Sequence, residues 1–468
     1  MLEIIWHAQW FFLLYFILLN GGYIILNIFS LFSISRYMQS HEFQSIPQAY
    51  AGYLPPISIL VPAHNEEATI TAAVRSLLQL DYSEYEIVVI NDGSDDSTLE
   101  ALIKEFDMAV FPEAYRIRLK SSRVRSIYLS ASSPNLRVID KVKGGKADAL
   151  NAGINSSRYP LFCSLDADSF LQRDSLQRVI SPFVEDPHTI ASGGTVRIAN
   201  GCQVRDGFLV KMGLPSNILA LFQIVEYIRA FLFGRLGWSG MNALLVISGT
   251  FGLFNKELVV RAGGYDTDTV GEDMELVTRL HKMMRLQGRP YRITFVPDPI
   301  CWTEVPQDFR TLKNQRVRWQ RGLAESLSKN LELLFHPKGG TVGWVAFPFM
   351  AVFEWIGPLI EVVGYLFTII AYMMGAITFE SLAAFLIVAI GMGTLLSVTG
   401  LLLEELSFHV YKKPSQIFVL FFAAVLENFG YRQLNSLWRF IGLCRWALGH
   451  KYEWGEMVKT GKWARQTR

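Results

Sequence analysis

Between Trp10 and Ile34 the chain carries no charged side chain. In lipid a stretch this long and apolar satisfies its backbone only as a helix, and it is long enough to cross a hydrocarbon core of roughly 30 Å. Trp6 and Trp10 mark one interface, and Arg36 lies just past the other end. No basic segment precedes the run, it is too long for a cleaved leader, and no small-x-small site succeeds it, so a retained anchor is expected. Arg36 favours a cytoplasmic side for the residues C-terminal to it. Apolar segments return after Gly343, at about Trp344–Met374, Leu382–Leu403 and Ser415–Leu426. Pro348 and Gly357-Pro358 interrupt the first, which reads as an interfacial turn leading into a span. One leading and three trailing spans would put both ends outside, yet Arg445 to Arg468 is basic, which favours the cytoplasm. A re-entrant or surface-lying segment repairs the count, and Phe429–Leu448 is amphipathic enough to be one.

The middle differs. The chain of 468 residues is 51% hydrophobic and 18% charged, with a mean hydropathy of +0.25, and the apolar excess sits in those flanks. Roughly Pro55–Pro337 reads as a soluble domain large enough for its own core. A net charge of +2 says little about partners, and without a basic tract no nucleic acid is expected among them. Cys163, Cys202, Cys301 and Cys444 are scattered, with neither metal spacing nor pairing, as buried thiols of a reducing compartment are. The expected organisation is an anchor over 1–36 and a cytoplasmic domain over 37–340 with interfacial helices at about 216–238 and 308–335. Membrane or interfacial helices occupy 341–448, with a basic tail over 449–468.

Within that domain strands and helices alternate. Ile57–Val61, Glu86–Ile90, Ser126–Leu129 and Leu161–Leu165 read as strands. Helices are expected over Glu66–Gln79, near Asp96–Phe106, and from Gly144-Gly145-Lys146 to about Asn155. This is the pattern of an open, mostly parallel α/β sheet, which binds ligands beyond the carboxyl ends of its strands. Glu66, Asp92, Asp166 and Asp168 all lie there. The run LFCSLDADSF (161–170) ends in two carboxylates at i and i+2, on one face if the strand continues. Side by side they repel, and a divalent cation is a natural way to keep both ionised; solvated aspartates capping a strand are the plainer reading. Ser216–Trp238 is amphipathic, as an interfacial or a core helix would be. Ala243–Phe254 is strand-like around Ser248-Gly249-Thr250. Gly271-Glu272-Asp273 heads a helix, and Asp308–Phe335 is a long helix containing Gln315-Arg316-Val317-Arg318-Trp319. Gln315, Arg318 and Trp319 fall on one face of it.

With PAHNEE, NDGSDDS, the DAD, GED and QRVRW in this order, the chain resembles membrane-integrated, inverting family-two glycosyltransferases. It is most similar to poly-N-acetylglucosamine synthases, with chitin, hyaluronan and cellulose synthases as relatives. The resemblance covers about Pro55–Phe335 and extends to the membrane segments by arrangement only. It implies a GT-A type, Rossmann-like α/β domain. The donor would be a UDP-sugar, UDP-GlcNAc first and UDP-glucose next. Glu66 and Asp92 would hold base and ribose, and Lys146 the nucleotide at a helix start. Asp166 would face the nucleotide and Asp168 the metal, Mg²⁺ or Mn²⁺. Asp273 would be the general base, on the face opposite the diphosphate. Glu272, beside it, is expected to point elsewhere, toward the acceptor. Gly271 stands where many cellulose-synthase-like members have Thr. Gln315 and Arg318 would serve the diphosphate, Arg318 by paired hydrogen bonds, and Trp319 the acceptor sugar.

The expected activity is metal-dependent, inverting sugar transfer to a growing β-linked polysaccharide at a bacterial inner membrane, by a multi-pass protein whose catalytic domain is cytoplasmic. The lipid bilayer, a saccharide acceptor and, for export, further subunits or copies are the expected partners. Glu354 and Glu361, at i and i+7 in the first trailing segment, leave two readings: a saccharide route, or pairing with Arg432 or Arg439. Two rival functions are a single-sugar transfer to a lipid acceptor and a non-catalytic membrane scaffold or conduit.

Overall fold

A computed structural model describes residues 2–42, 54–112, 114–205 and 207–450. The strands are β1 (Ile57–Ala63), β2 (Tyr85–Asp92), β3 (Met108–Val110), β4 (Val124–Ser130), β5 (Leu136–Lys141) and β6 (Leu161–Leu165). They continue with β7 (Phe170–Leu171), β8 (Thr189–Ile198), β9 (Gln203–Arg205), β10 (Phe208–Lys211), β11 (Phe251–Asn255) and β12 (Arg292–Thr303). Ten of them form one mixed sheet in the order β3-β4-β5-β2-β1-β6-β11-β8-β12-β7. Its centre, β5-β2-β1-β6, is parallel. Those strands are buried on both faces, which is why they read as continuous apolar runs. Two hydrophobic cores line the two faces, one under Ile57, Val89 and Leu165 and the other under Leu60, Ile90 and Phe162.

Ser126–Leu129 lies inside β4, while β3, β5, β7 to β10 and β12 are additions to the expected set. β5 is hidden in sequence by Arg137, Asp140 and Lys141, charges that do not suggest a core strand. All three are buried and answered: Arg137 pairs with Glu86 at 2.5 Å, Asp140 accepts from Asn91 at 2.8 Å, and Lys141 pairs with Asp92 and Asp148. The helix expected from Glu66 begins at Ile70, and of Ala243–Phe254 only the end is strand. Residues 243–250 instead run as irregular backbone toward the carboxyl edge of the sheet.

The segment expected at 216–238 is one continuous helical rod, Ile218–Glu226, a π-helical stretch Tyr227–Gly234, and Arg235–Gly240. It is largely buried, packed against the N-terminal helix (Leu2–Glu42), β8 and β12. Helix Phe309–Lys329 is capped by Asp308, whose side chain accepts from the Thr311 amide at 2.8 Å. Among the described residues, two helices are long and apolar enough to cross a membrane, Glu3–Gln39 and Phe379–Ser407. Up to four spans result if two bent pairs each count as one. These are Val342–Trp355 with Gly357–Met373, bent by 45°, and Pro414–Leu426 with Tyr431–Ala447, bent by 56°. The amphipathic segment expected at Phe429–Leu448 is helix Tyr431–Ala447, and it packs along helix Phe309–Lys329. Most of the basic tail expected over 449–468 lies outside the described residues.

Candidate active site

Beyond the carboxyl edge of the sheet, between it and the apolar helices, lies a cavity of about 520 Å³. Lys146, Asp166, Asp168, Glu272, Asp273, Gln315, Arg318 and Trp319 all line it. Asp166 and Asp168 reach it from a turn, because β6 ends at Leu165. The shared strand face inferred from their i, i+2 spacing is therefore not what unites them. The turn is closed by the Ser169 amide donating to the Asp166 carbonyl at 3.0 Å.

Lys146 opens helix Lys146–Ser156, behind Gly145 at φ +92°, a backbone region that favours glycine. Its ammonium donates to Asp166 Oδ1 at 2.5 Å and the Gly249 carbonyl at 3.2 Å, and stands 3.7 Å from Glu272. Burial alone would pull this lysine's pKa down; Asp166, Glu272 and Asp273 outweigh it and hold the group above its ordinary range. Glu272 behaves oppositely: burial pushes its carboxyl up, against the pull of Lys146.

Asp273 is held by backbone. The Gly249 amide donates to Oδ2 and the Met274 amide to Oδ1, both at 2.8 Å. It sits in the first turn of helix Glu272–Leu286, where amide dipoles favour an anion. Glu272 shares the cavity but turns toward Lys146, while Asp273 turns toward Gly249. Gly271 is explained by packing. A Cβ on it would lie 2.7 Å from the Gly322 Cα, so the Gly271 loop and the QRVRW helix touch backbone to backbone. Glu325 secures the crossing, accepting from Thr269 Oγ1 and the Val270 amide, each at 2.9 Å.

On the same helix, Arg316 is a site residue that sequence reasoning misses, being off the face of Gln315, Arg318 and Trp319. It is buried, pairs with Glu226 at 2.8 Å, and stacks its guanidinium 4.4 Å from the Trp319 ring. Only the partner Glu226, distant in sequence, marks it. The Gln315 Oε1 atom is buried without a hydrogen-bond partner.

Glu66 follows β1 by three residues and Asp92 ends β2; neither lines the cavity. Asp92 is buried; its Oδ1 accepts from Lys141 and the Gly144 amide (2.9 Å), and its Oδ2 from the Gly145 amide (2.7 Å). It thus shapes the turn that presents Lys146. Glu66 is buried and accepts from Thr69 Oγ1 at 2.8 Å. Glu354 pairs with Arg439 at 2.7 Å and accepts from Tyr23, while Glu361 accepts from Ser436. These glutamates also line the cavity, so pairing and lining are compatible.

An α/β sheet gathering acidic and cationic groups at its carboxyl edge defines the class, a GT-A glycosyltransferase. The mannosyltransferase PcManGT of Pyrobaculum calidifontis, solved with GDP-Man and Mn2+, shares this fold. Its TM-score is 0.51 over 88% of this chain and 99% of that one, at 19% identity. Residues 161–397, half the chain, match Glycosyl transferase family group 2, and residues 58–206 match Glycosyl transferase family 2. The chain belongs to family-two glycosyltransferases and is an enzyme of that kind. The poly-beta-1,6-N-acetyl-D-glucosamine synthase of Staphylococcus aureus (strain COL) is 34% identical over 288 residues, 61% of this chain and 58% of that protein. The protein of the same name from Staphylococcus epidermidis is 30% identical over 301 residues, 64% and 62% of the two chains. The chain thus spans about three-fifths of the length of these curated relatives.

Proposed function

We propose that this enzyme transfers a sugar from a UDP-sugar, UDP-GlcNAc first and UDP-glucose next, to the hydroxyl of a growing β-linked polysaccharide at the inner face of a bacterial membrane, with inversion. The observation that carries the reading is the cavity in which Lys146, Asp166, Asp168, Asp273, Arg318 and Trp319 meet, beside helices apolar enough for lipid. The staphylococcal relatives, synthases of poly-beta-1,6-N-acetyl-D-glucosamine, support N-acetylglucosamine as the sugar and a polysaccharide as the product.

The residues divide by chemistry. Lys146 and Arg318 are cations for a diphosphate, with Gln315 assisting; Glu66 and Asp92 serve base and ribose, Asp92 together with the turn it holds. Asp273 takes the proton from the attacking hydroxyl, its carboxylate pre-set by two amides so that little reorganisation is needed. Trp319 and Glu272 serve the acceptor. Asp168 and Asp166 offer hard oxygen donors that suit Mg²⁺ or Mn²⁺. Among the described residues no cluster of three metal-ligating side chains exists, so phosphate oxygens and water would complete the shell. A cation there supplies orientation of the diphosphate and neutralisation of leaving-group charge.

The test is a panel of radiolabelled UDP-sugars with detergent-solubilised protein and Mg²⁺ or Mn²⁺. A ladder of products from UDP-GlcNAc supports the reading; a single glycolipid product favours one-sugar transfer. Asp273→Asn is expected to cut transfer by about 10²- to 10⁴-fold, the usual contribution of a positioned base. UDP release surviving that change removes Asp273 from the role.

A further inference from the structure

Arg235 comes directly after the π-helical stretch of the 218–240 rod and lines the cavity. It is 7% exposed. Its guanidinium lies 4.6 Å from the Phe231 ring, and Phe231 in turn packs 5.6 Å from Trp319. The other buried arginines each have an ion-pair partner: Arg137 has Glu86, Arg197 has Glu404 and Arg316 has Glu226. Arg235 has no hydrogen-bond or ion-pair partner among the described residues; its Nε is buried and unpaired, as are those of Arg137, Arg197 and Arg316, but unlike them it has no carboxylate on its other nitrogens. A guanidinium has five donors and no acceptor capacity, and leaving them dry is costly, so the site is built for an incoming oxygen.

Two observations say which oxygen. Arg235 belongs to the aromatic wall that continues into Trp319, whereas the donor-side cation Lys146 is already engaged by Asp166. And the carboxylate that acts most strongly on Arg235 is Asp273: burial lowers the guanidinium's pKa to about 10, and Asp273 is the first group opposing it. Arg235 and Asp273 line the same cavity, and the guanidinium is still charged at neutral pH.

We infer that Arg235 is an acceptor-positioning residue, its free N–H groups gripping hydroxyl or acetamido oxygens of the terminal acceptor sugar while that sugar rests on Trp319 and offers its attacking hydroxyl to Asp273. The inference rests on the transferase reading above. It assigns the acceptor end a donor fork that the QRVRW helix does not supply.

The experiment varies a chitin-type oligosaccharide primer at fixed UDP-GlcNAc, and then UDP-GlcNAc at saturating primer, for the full chain and for Arg235→Met and Arg235→Lys. A wild-type protein that transfers nothing to any primer defeats the transferase reading itself. Given wild-type transfer, Arg235→Met is expected to raise the primer KM or lower primer kcat/KM by about 10- to 100-fold, the range for a hydrogen bond to a charged group. The KM for UDP-GlcNAc should stay within about twofold, and Arg235→Lys, which keeps charge without the fork, should recover part of the loss. Should Arg235→Met also lose UDP binding by calorimetry, Arg235→Lys decides: a primer defect with wild-type donor KM upholds the assignment. Unchanged primer kinetics, or equal loss toward donor and primer, overturns it.

Discussion

Replacing Gly322 by Ala tests whether the site depends on the contact between the QRVRW helix and the Gly271 loop. Gly322 is inside helix Phe309–Lys329, where Ala is ordinarily better than Gly by about 1 kcal/mol. The structure reverses that sign. The new Cβ would lie 2.8 Å from the Gly271 Cα, about 0.7 Å short of the ~3.5 Å at which carbon atoms pack. Both sides are backbone, so no side chain can swing away. Overpacking of this kind costs about 1–3 kcal/mol, which outweighs the propensity gain. The displacement also moves Asp273 away from Arg318 and Trp319, and a shift approaching 1 Å lowers a rate by up to about 10²-fold. Thermal melting in detergent and steady-state transfer read both effects. A lowered melting point with kcat down and little change in donor KM is expected. A Gly322→Ala protein that melts higher and turns over normally would refute the reasoning, because the crossing would then have slack the geometry denies.

The site and its surroundings set three further outcomes. Lys146→Met should raise the donor KM about tenfold or more, since it removes a charge-assisted contact and leaves Asp166 and Glu272 facing each other; titration of UDP binding checks it. Chelation by EDTA should stop transfer and Mg²⁺ or Mn²⁺ restore it, with Asp168→Asn requiring more metal; undiminished transfer in EDTA would exclude the Asp166–Asp168 role. His281 is wholly buried, bonded to the Leu244 carbonyl at 2.9 Å and the Tyr291 hydroxyl at 2.7 Å, and burial lowers its pKa to about 4. Because the unfolded chain takes up this proton near pH 6.5 and the folded one does not, its share of stability is full above that pH. That share is lost as pH falls toward about 4, for a total of about 3 kcal/mol. Melting from pH 7.5 to 5 should fall less steeply in His281→Gln than in wild type; identical slopes would clear His281 of the effect.

The features legible from residues alone are those that local physics dictates. The uncharged Trp10–Ile34 stretch has to be helical, and the central strands declare themselves because both their faces are buried. The carboxylates of the DAD and GED motifs and the QRVRW face carry chemistry in their residue types, so they stand out before any fold is known. What stays hidden depends on partners far away in the chain. β5 looks too charged for a core strand until Glu86, Asp92 and Asp148 are seen to answer Arg137 and Lys141. The two aspartates of the DAD are joined by a turn and a cavity, with strand alternation playing no part. Gly271 looks like a departure from a motif until Gly322 is found against it, and neither Arg316 nor Arg235 has any local mark of its place. Pairing, close approach and burial are properties of two segments at once, and only the folded chain brings those segments together.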